Sequence, residues 1–114
     1  MSELKFYWKS TCTTCRKARS FLVDAGSIFH ERNYAKNPFT KPELEALFQQ
    51  FDPSIFINPK SQPFKALGLA EKSLTKEEVI DLVLSEPNLL KRPFVIKDGK
   101  VIFGFSEQEY QKLI

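Results

Sequence analysis

Histidine, tryptophan and methionine occur once each in this 114-residue chain, cysteine twice and glycine four times. With His30 as the single imidazole, a zinc site would need carboxylates or a second chain, because zinc usually takes four Cys/His ligands; no metal is expected. There is no internal repeat, no low-complexity tract and no linker rich in Gly or Ser. No apolar run approaches the roughly 18 to 20 residues a membrane span needs, and residues 1–8 have no apolar signal core, so no membrane association and a cytoplasmic location are the expectation. The net charge of +3, with a pI near 8.9, falls short of the Lys/Arg excess that phosphate neutralisation demands, so direct nucleic-acid contact is not expected. Two cysteines three positions apart are a poor framework for a secreted fold, and a reducing compartment would keep them available for chemistry.

What remains is ordinary in amount and unusual in kind. At 42% hydrophobic and 27% charged, the composition is that of a soluble globular chain, and its length suits one domain over residues 1–114, expected to act as a monomer. Eleven residues are Phe, so aromatic packing should fill the interior.

Periodicity and turn residues set out the elements. Residues 4–8 alternate and carry aromatics, reading as a first strand, and residues 9–14 read as a polar loop ending at a helix start. Ala18, Phe21, Leu22 and Ala25 recur at helical spacing before Gly26, which ends that helix, and residues 28–34 read as a second strand. Thr40 with Glu43, Thr75 with Glu78, and Ser106 with Glu109 are capping-box pairs, so each predicts a helix, the last running to the chain end. Pro53, Pro59 and Pro63 break the intervening region into short helical turns. Asp98-Gly99 between two β-favouring runs predicts a two-residue hairpin. The order β-α-β, helices, β-β, α is that of an α/β, thioredoxin-like fold. It has a mixed sheet of about four strands flanked by helices, and a helical insertion between the β-α-β and β-β-α halves.

The chemistry is concentrated in Thr11-Cys12-Thr13-Thr14-Cys15-Arg16. A CxxC at a strand-to-helix junction puts Cys12 at the helix mouth and Cys15 one turn inside. Helix amides and dipole should stabilise a Cys12 thiolate, with Lys9, Arg16, Lys17 and Arg19 adding positive charge, so Cys12 is the expected nucleophile. Cys15, less exposed, would attack the mixed disulfide on Cys12 and release the partner. The Arg92-Pro93 bond precedes the third strand. Its cis isomer would turn a backbone edge toward the pair, and a trans proline opening the strand is the other reading. Lys91 and Arg92 would supply further charge. His30 is expected on an exposed strand face, and Trp8 as a core or rim aromatic.

The run from Thr11 to Arg19, together with Leu67-Gly68-Leu69 and Leu90-Lys91-Arg92-Pro93-Phe94-Val95-Ile96, resembles the ArsC/Spx family over almost the whole chain. The resemblance implies a thioredoxin-like fold with a helical insertion and three activities on one scaffold: arsenate reductases that use glutaredoxin, thiol-redox proteins, and Spx-type regulators that dock on the RNA polymerase alpha subunit. It also implies nucleophile and anion-binding roles for Cys12, Arg16, Arg92 and Pro93. Two further oxyanion-gripping arginines of the reductases fall near Asn58 and Gly104, which carry no charge. Each missing charge-assisted hydrogen bond is worth roughly 1.5 to 3 kcal/mol, which argues against efficient arsenate reduction. The second cysteine is shared with the regulators, whose tail extends beyond the point matching Ile114. The expected activity is thiol-disulfide exchange with a small thiol or protein disulfide. No cofactor is expected to be bound, and glutathione would be the co-substrate, its carboxylates meeting Lys9, Arg16 or Arg92.

Overall fold

A computed structural model describes residues 3–114. The chain divides into two units, residues up to Asn37 joined with Arg92–Ile114, and Pro38–Lys91 between them.

The first unit is built on a four-stranded sheet in the order β2-β1-β3-β4. Strand β1 (Leu4–Trp8) pairs in parallel with β2 (Phe29–Asn33), Leu4 opposite Phe29 and Trp8 opposite Asn33. On its other edge it pairs antiparallel with β3 (Phe94–Lys97), which turns back into β4 (Lys100–Phe103). The two residues between β3 and β4 are Asp98 at φ 54° and Gly99 at φ 74°, the left-handed pair that a primed two-residue turn requires. Side-chain alternation in β1 sends Leu4 and Phe6 to one face. There they pack with Ala18, Leu22, Val95 and Tyr110 in a core whose borders include Trp8, Phe21 and Phe105. Burying side chains such as Phe6 and Leu22 contributes about 1.5–3 kcal/mol each. On the opposite face Tyr7 stacks on Phe94 at 4.6 Å between ring centroids.

Helix α1 (Thr13–Asp24) makes the parallel crossover, starting two residues earlier than the apolar spacing from Cys15 suggested. Its buried residues Cys15, Ala18 and Leu22 form one stripe. It ends in paired return bonds, Gly26 N–H to the Val23 carbonyl at 3.0 Å and Ser27 N–H to that of Leu22 at 3.1 Å, with Gly26 left-handed at φ 71°. Strand β2 is shorter than residues 28–34, its pairing with β1 beginning at Phe29 and ending at Asn33, although Tyr34 N–H still donates to the Trp8 carbonyl at 3.0 Å.

The second unit is helical throughout: α2 (Lys41–Gln50), a 3-10 turn (Pro53–Phe56), α3 (Gln62–Ala66), a second 3-10 turn (Leu69–Glu71), α4 (Lys76–Ser85) and a third (Pro87–Leu89). Both expected boxes form here, Thr40 with Glu43 and Thr75 with Glu78, each satisfying two helix-start amides reciprocally. Leu44 and Phe48 of α2 and Val79, Ile80 and Val83 of α4 are buried. Phe56 is fully buried, its ring 5.5 Å from that of Phe48. Ile57 and Leu90 form an antiparallel bridge, flanked by Asn58 N–H to Leu89 O at 2.7 Å and Lys91 N–H to Phe56 O at 2.8 Å.

Back in the first unit, the Ser106 hydroxyl accepts from Glu109 N–H, but helix α5 spans only Glu107–Gln111 and does not run to the chain end.

Candidate active site

The loop after β1 is held by its own backbone and by its neighbour in β2. Cys12 N–H donates to the Lys9 carbonyl at 2.9 Å, and Ser10 N–H donates to Asn33 Oδ1 at 3.2 Å. Asn33 Oδ1 also accepts from Ala35 N–H at 3.2 Å, so one side chain at the end of β2 anchors two loops. Arg16 closes the loop from the helix side. Its guanidinium donates to the Ser10 carbonyl at 2.9 Å and to Thr13 Oγ1 at 3.3 Å.

Cys12 is the N-cap of α1, with extended backbone (φ −99°, ψ 124°), and its carbonyl accepts the first helical bond from Arg16 N–H at 3.1 Å. Its sulfur makes no hydrogen bond of cap geometry. Neither cysteine is in a disulfide; Cys12 is half-buried and Cys15 is buried, at 0% exposure.

The two thiols are tuned in opposite directions. Partial burial disfavours a Cys12 thiolate. That effect is outweighed by the Cys15 amide, the Cys15 thiol and the Arg92 guanidinium, all of which favour the anion, and the net result holds Cys12 below its ordinary value. At Cys15, burial is the leading cause and pushes the thiol up to about 12. The Lys9 amide opposes this, and the neighbouring Cys12 sulfur reinforces it. One sulfur is therefore prepared to ionise while the other keeps its proton. Tyr34 and Tyr110 are both pushed up, chiefly by burial.

Arg92 reaches Cys12 from the residue before a cis proline: the Arg92-Pro93 bond is cis. The Pro93 carbonyl accepts from Gly104 N–H at 2.8 Å, and the Gly104 carbonyl in turn accepts from the buried Tyr110 hydroxyl at 2.8 Å. Gly104, left-handed at φ 77°, thus serves as a backbone clamp on the proline loop. Asn58 lies in the helical unit, its Oδ1 accepting from Lys60 N–H at 3.0 Å.

Several expected cations are placed elsewhere. Arg19 is committed to Glu31, with bonds of 2.9 and 3.0 Å to the two carboxylate oxygens, and its guanidinium lies 5.3 Å from the Trp8 ring centroid. Trp8 Nε1–H donates to the same Glu31 at 3.0 Å. This guanidinium, as the leading cause, holds the Glu31 carboxyl below the usual carboxylate range. Arg16 bonds the Ser10 carbonyl and the Thr13 hydroxyl, Lys17 lines with it a groove beside α1, and Lys9 contributes its backbone to both cysteines. The cation at the sulfur is Arg92. Trp8 is a rim aromatic, stacked 6.1 Å from Phe6. His30 is an exposed residue of β2, 3.7 Å from the Glu3 carboxylate.

Sequence reasoning missed Asn33 and Tyr34, although an Asn ending a strand is a usable signal because its amide bonds local backbone. Among the described residues, no cluster of three or more His, Cys, Asp or Glu side chains could hold a metal, and no helix is long and apolar enough to cross a membrane.

Comparison with known proteins bears on the family and the fold. The uncharacterized protein YusI of Bacillus subtilis is 34% identical, covering 96% of this chain and 97% of its own. The global transcriptional regulator Spx of Enterococcus faecalis is 31% identical, covering 97% and 86%. Among solved structures, an ArsC family related protein from Bacteroides fragilis superposes with a TM-score of 0.77 at 29% identity, covering 98% of both chains. The sequence pattern of the ArsC family matches residues 7–113. With its CxxC at the end of β1 and its arginine before a cis proline, the chain belongs to the ArsC family.

Proposed function

We propose that the protein is a thiol-disulfide oxidoreductase in which Cys12 attacks and Cys15 resolves. The observation that supports this most is the opposed tuning of the pair: a half-exposed sulfur favoured as thiolate by Arg92 and the Cys15 amide, beside a buried thiol pushed up to about 12. A sulfur inert in a core would share the second environment.

The Cys12 thiolate attacks one sulfur of a substrate disulfide, forming the mixed disulfide and expelling the other sulfur as a thiolate. Cys15 then gives up its proton, attacks the Cys12 sulfur and expels the second thiolate. The substrate gains two electrons and leaves as two thiols, while the protein loses two and closes a Cys12–Cys15 disulfide. Two equivalents of glutathione, or a dithiol such as glutaredoxin, return it to the dithiol. The carboxylates of glutathione are matched by Arg92 and Arg16.

The test is to mix the dithiol protein with oxidised glutathione. A mixed disulfide should form transiently in the native chain, persist in Cys15→Ser and be missing in Cys12→Ser. Equal reaction in Cys12→Ser removes the proposal.

A second reading draws on the likeness to Spx: a redox-switched regulator docking on the RNA polymerase alpha subunit. It predicts oxidation-dependent co-purification with that subunit and no turnover of small disulfides. Arsenate reduction is the third reading, and with uncharged Gly104 clamping the proline loop, glutaredoxin-linked arsenate turnover should be negligible.

A further inference from the structure

The helix that begins at Cys12 carries a groove along its outer side. It starts at Thr13, the neighbour of the nucleophile, is open to solvent with about 470 Å³ of space above its floor, and is lined by Arg16, Lys17, Phe21, Asp24, Phe105 and Glu107. Thr13, Arg16 or Lys17, Ser20 and Asp24 recur every three to four residues, so they form one continuous row on α1. From Thr13 to Asp24 the row rises through eleven steps, which at 1.5 Å each is roughly 16 Å. Phe21 and Phe105, both half-buried with ring centroids 5.7 Å apart, form the apolar part where α1 meets the segment leading into α5.

Charge is ordered along this row. The cations Arg16 and Lys17 stand within about 6 Å of axial rise from Thr13 and the carboxylate of Asp24 stands at the other end of the row, while Glu107 at the start of α5 adds a second carboxylate to the lining. Arg16 spends two of its five N–H donors on Ser10 and Thr13. An extended strand advances about 3.3 Å per residue. A chain tethered through sulfur at Cys12 therefore passes the cations at its second residue and Asp24 at its fifth. Glutathione is a tripeptide and spans at most roughly 10 Å, so it cannot occupy the row from the sulfur to Asp24.

We propose that this groove seats the polypeptide flanking a protein disulfide under attack by Cys12. The bound segment is extended and about five residues long, with an acidic side chain near the sulfur, an apolar one over Phe21 and Phe105, and a basic one at Asp24. The inference rests on the thiol-exchange reading and narrows its substrate class to protein disulfides, leaving glutathione as reductant. Exposed charges of this kind act mainly on encounter and orientation, so the preference is a rate effect that salt weakens.

The probes are two symmetrical peptide disulfides, of Cys-Gly-Asp-Phe-Gly-Lys and of its charge-swapped partner Cys-Gly-Lys-Phe-Gly-Asp. Each is made also in reversed order to cover either chain direction, with oxidised glutathione as the third oxidant. Rates of mixed-disulfide formation at Cys12 are measured in Cys15→Ser at low ionic strength. The acid-first peptide should react about tenfold faster than the swapped one in at least one direction, and adding Asp24→Lys should bring the ratio close to one. Equal rates, a swapped-peptide preference, or a preference undiminished by Asp24→Lys would each overturn the groove while leaving the exchange reading intact wherever Cys12 still reacts. Failure of every disulfide to react at Cys12 overturns the exchange reading itself, and this inference with it.

Discussion

The Arg92 guanidinium hydrogen-bonds the Cys12 sulfur although eighty positions separate the two residues in the chain. The contact is made by the proline loop reaching the mouth of α1. Removing it should raise the Cys12 thiol toward its ordinary value. In Arg92→Ala, thiolate absorbance followed against pH should therefore titrate at higher pH than in the native chain. The rate with oxidised glutathione at neutral pH should fall roughly fivefold, because less of the sulfur is ionised. Arg92→Lys keeps a charge without the planar fork and should lie between the two.

Cys15 gives an alkaline signature. The folded thiol holds its proton up to about pH 12, against 9.0 for an ordinary thiol. A raised folded value contributes stability that is whole below pH 9 and is lost as the pH climbs toward 12. Tyr34 and Tyr110 act in the same direction, but only above their ordinary 10.0. Between pH 9 and 10 the decline therefore belongs to Cys15. Urea midpoints taken across that interval should fall in the native chain and stay flatter in Cys15→Ala, whatever the latter's absolute stability.

The Arg19–Glu31–Trp8 cluster is partly exposed, with side-chain exposures of 40% and 35% for the ion pair. Screening keeps such a pair to under about 1 kcal/mol. Glu31→Gln should lower the urea midpoint slightly and alter the emission of the single tryptophan, whose indole N–H donates to Glu31. The Glu31 carboxyl is held low, so its contribution is present above about pH 4.5 and fades as the pH drops below it. The native and Glu31→Gln midpoints should converge in acid.

Tyr110→Phe tests the clamp behind the proline loop. The hydroxyl is buried and donates to the Gly104 carbonyl, so its loss should cost about 1 kcal/mol, with the urea m-value unchanged. A midpoint equal to the native one would show that this bond adds nothing.

Much of this molecule can be read from local patterns. The alternation in β1, the Asp98-Gly99 turn and the boxes at Thr40 and Thr75 are contacts within a few residues, and each forms where the spacing places it. Ser106 forms only half its box, because an isolated five-residue helix depends on the core around Tyr110 more than on its cap. The site was legible in its sulfurs but not in its charges. Arg16 and Arg19 are close to Cys12 in sequence, yet successive helical side chains rotate by about 100°, which points Arg19 at Glu31 and Trp8. The cation that tunes Cys12 arrives from Arg92, a placement decided by tertiary structure. The cis state of Arg92-Pro93 was likewise one of two local options.

The position of β1 has a final consequence. Among the described residues it is the only strand paired in parallel on one edge and antiparallel on the other, and it runs into the CxxC loop. Segments so doubly tied open last in native-state hydrogen exchange. Alkylation of Cys12 should accordingly follow ionisation of its thiol alone, with no lag for breathing of the fold, and the amides of Phe6 and Tyr7 should remain unexchanged long after Cys12 has been alkylated.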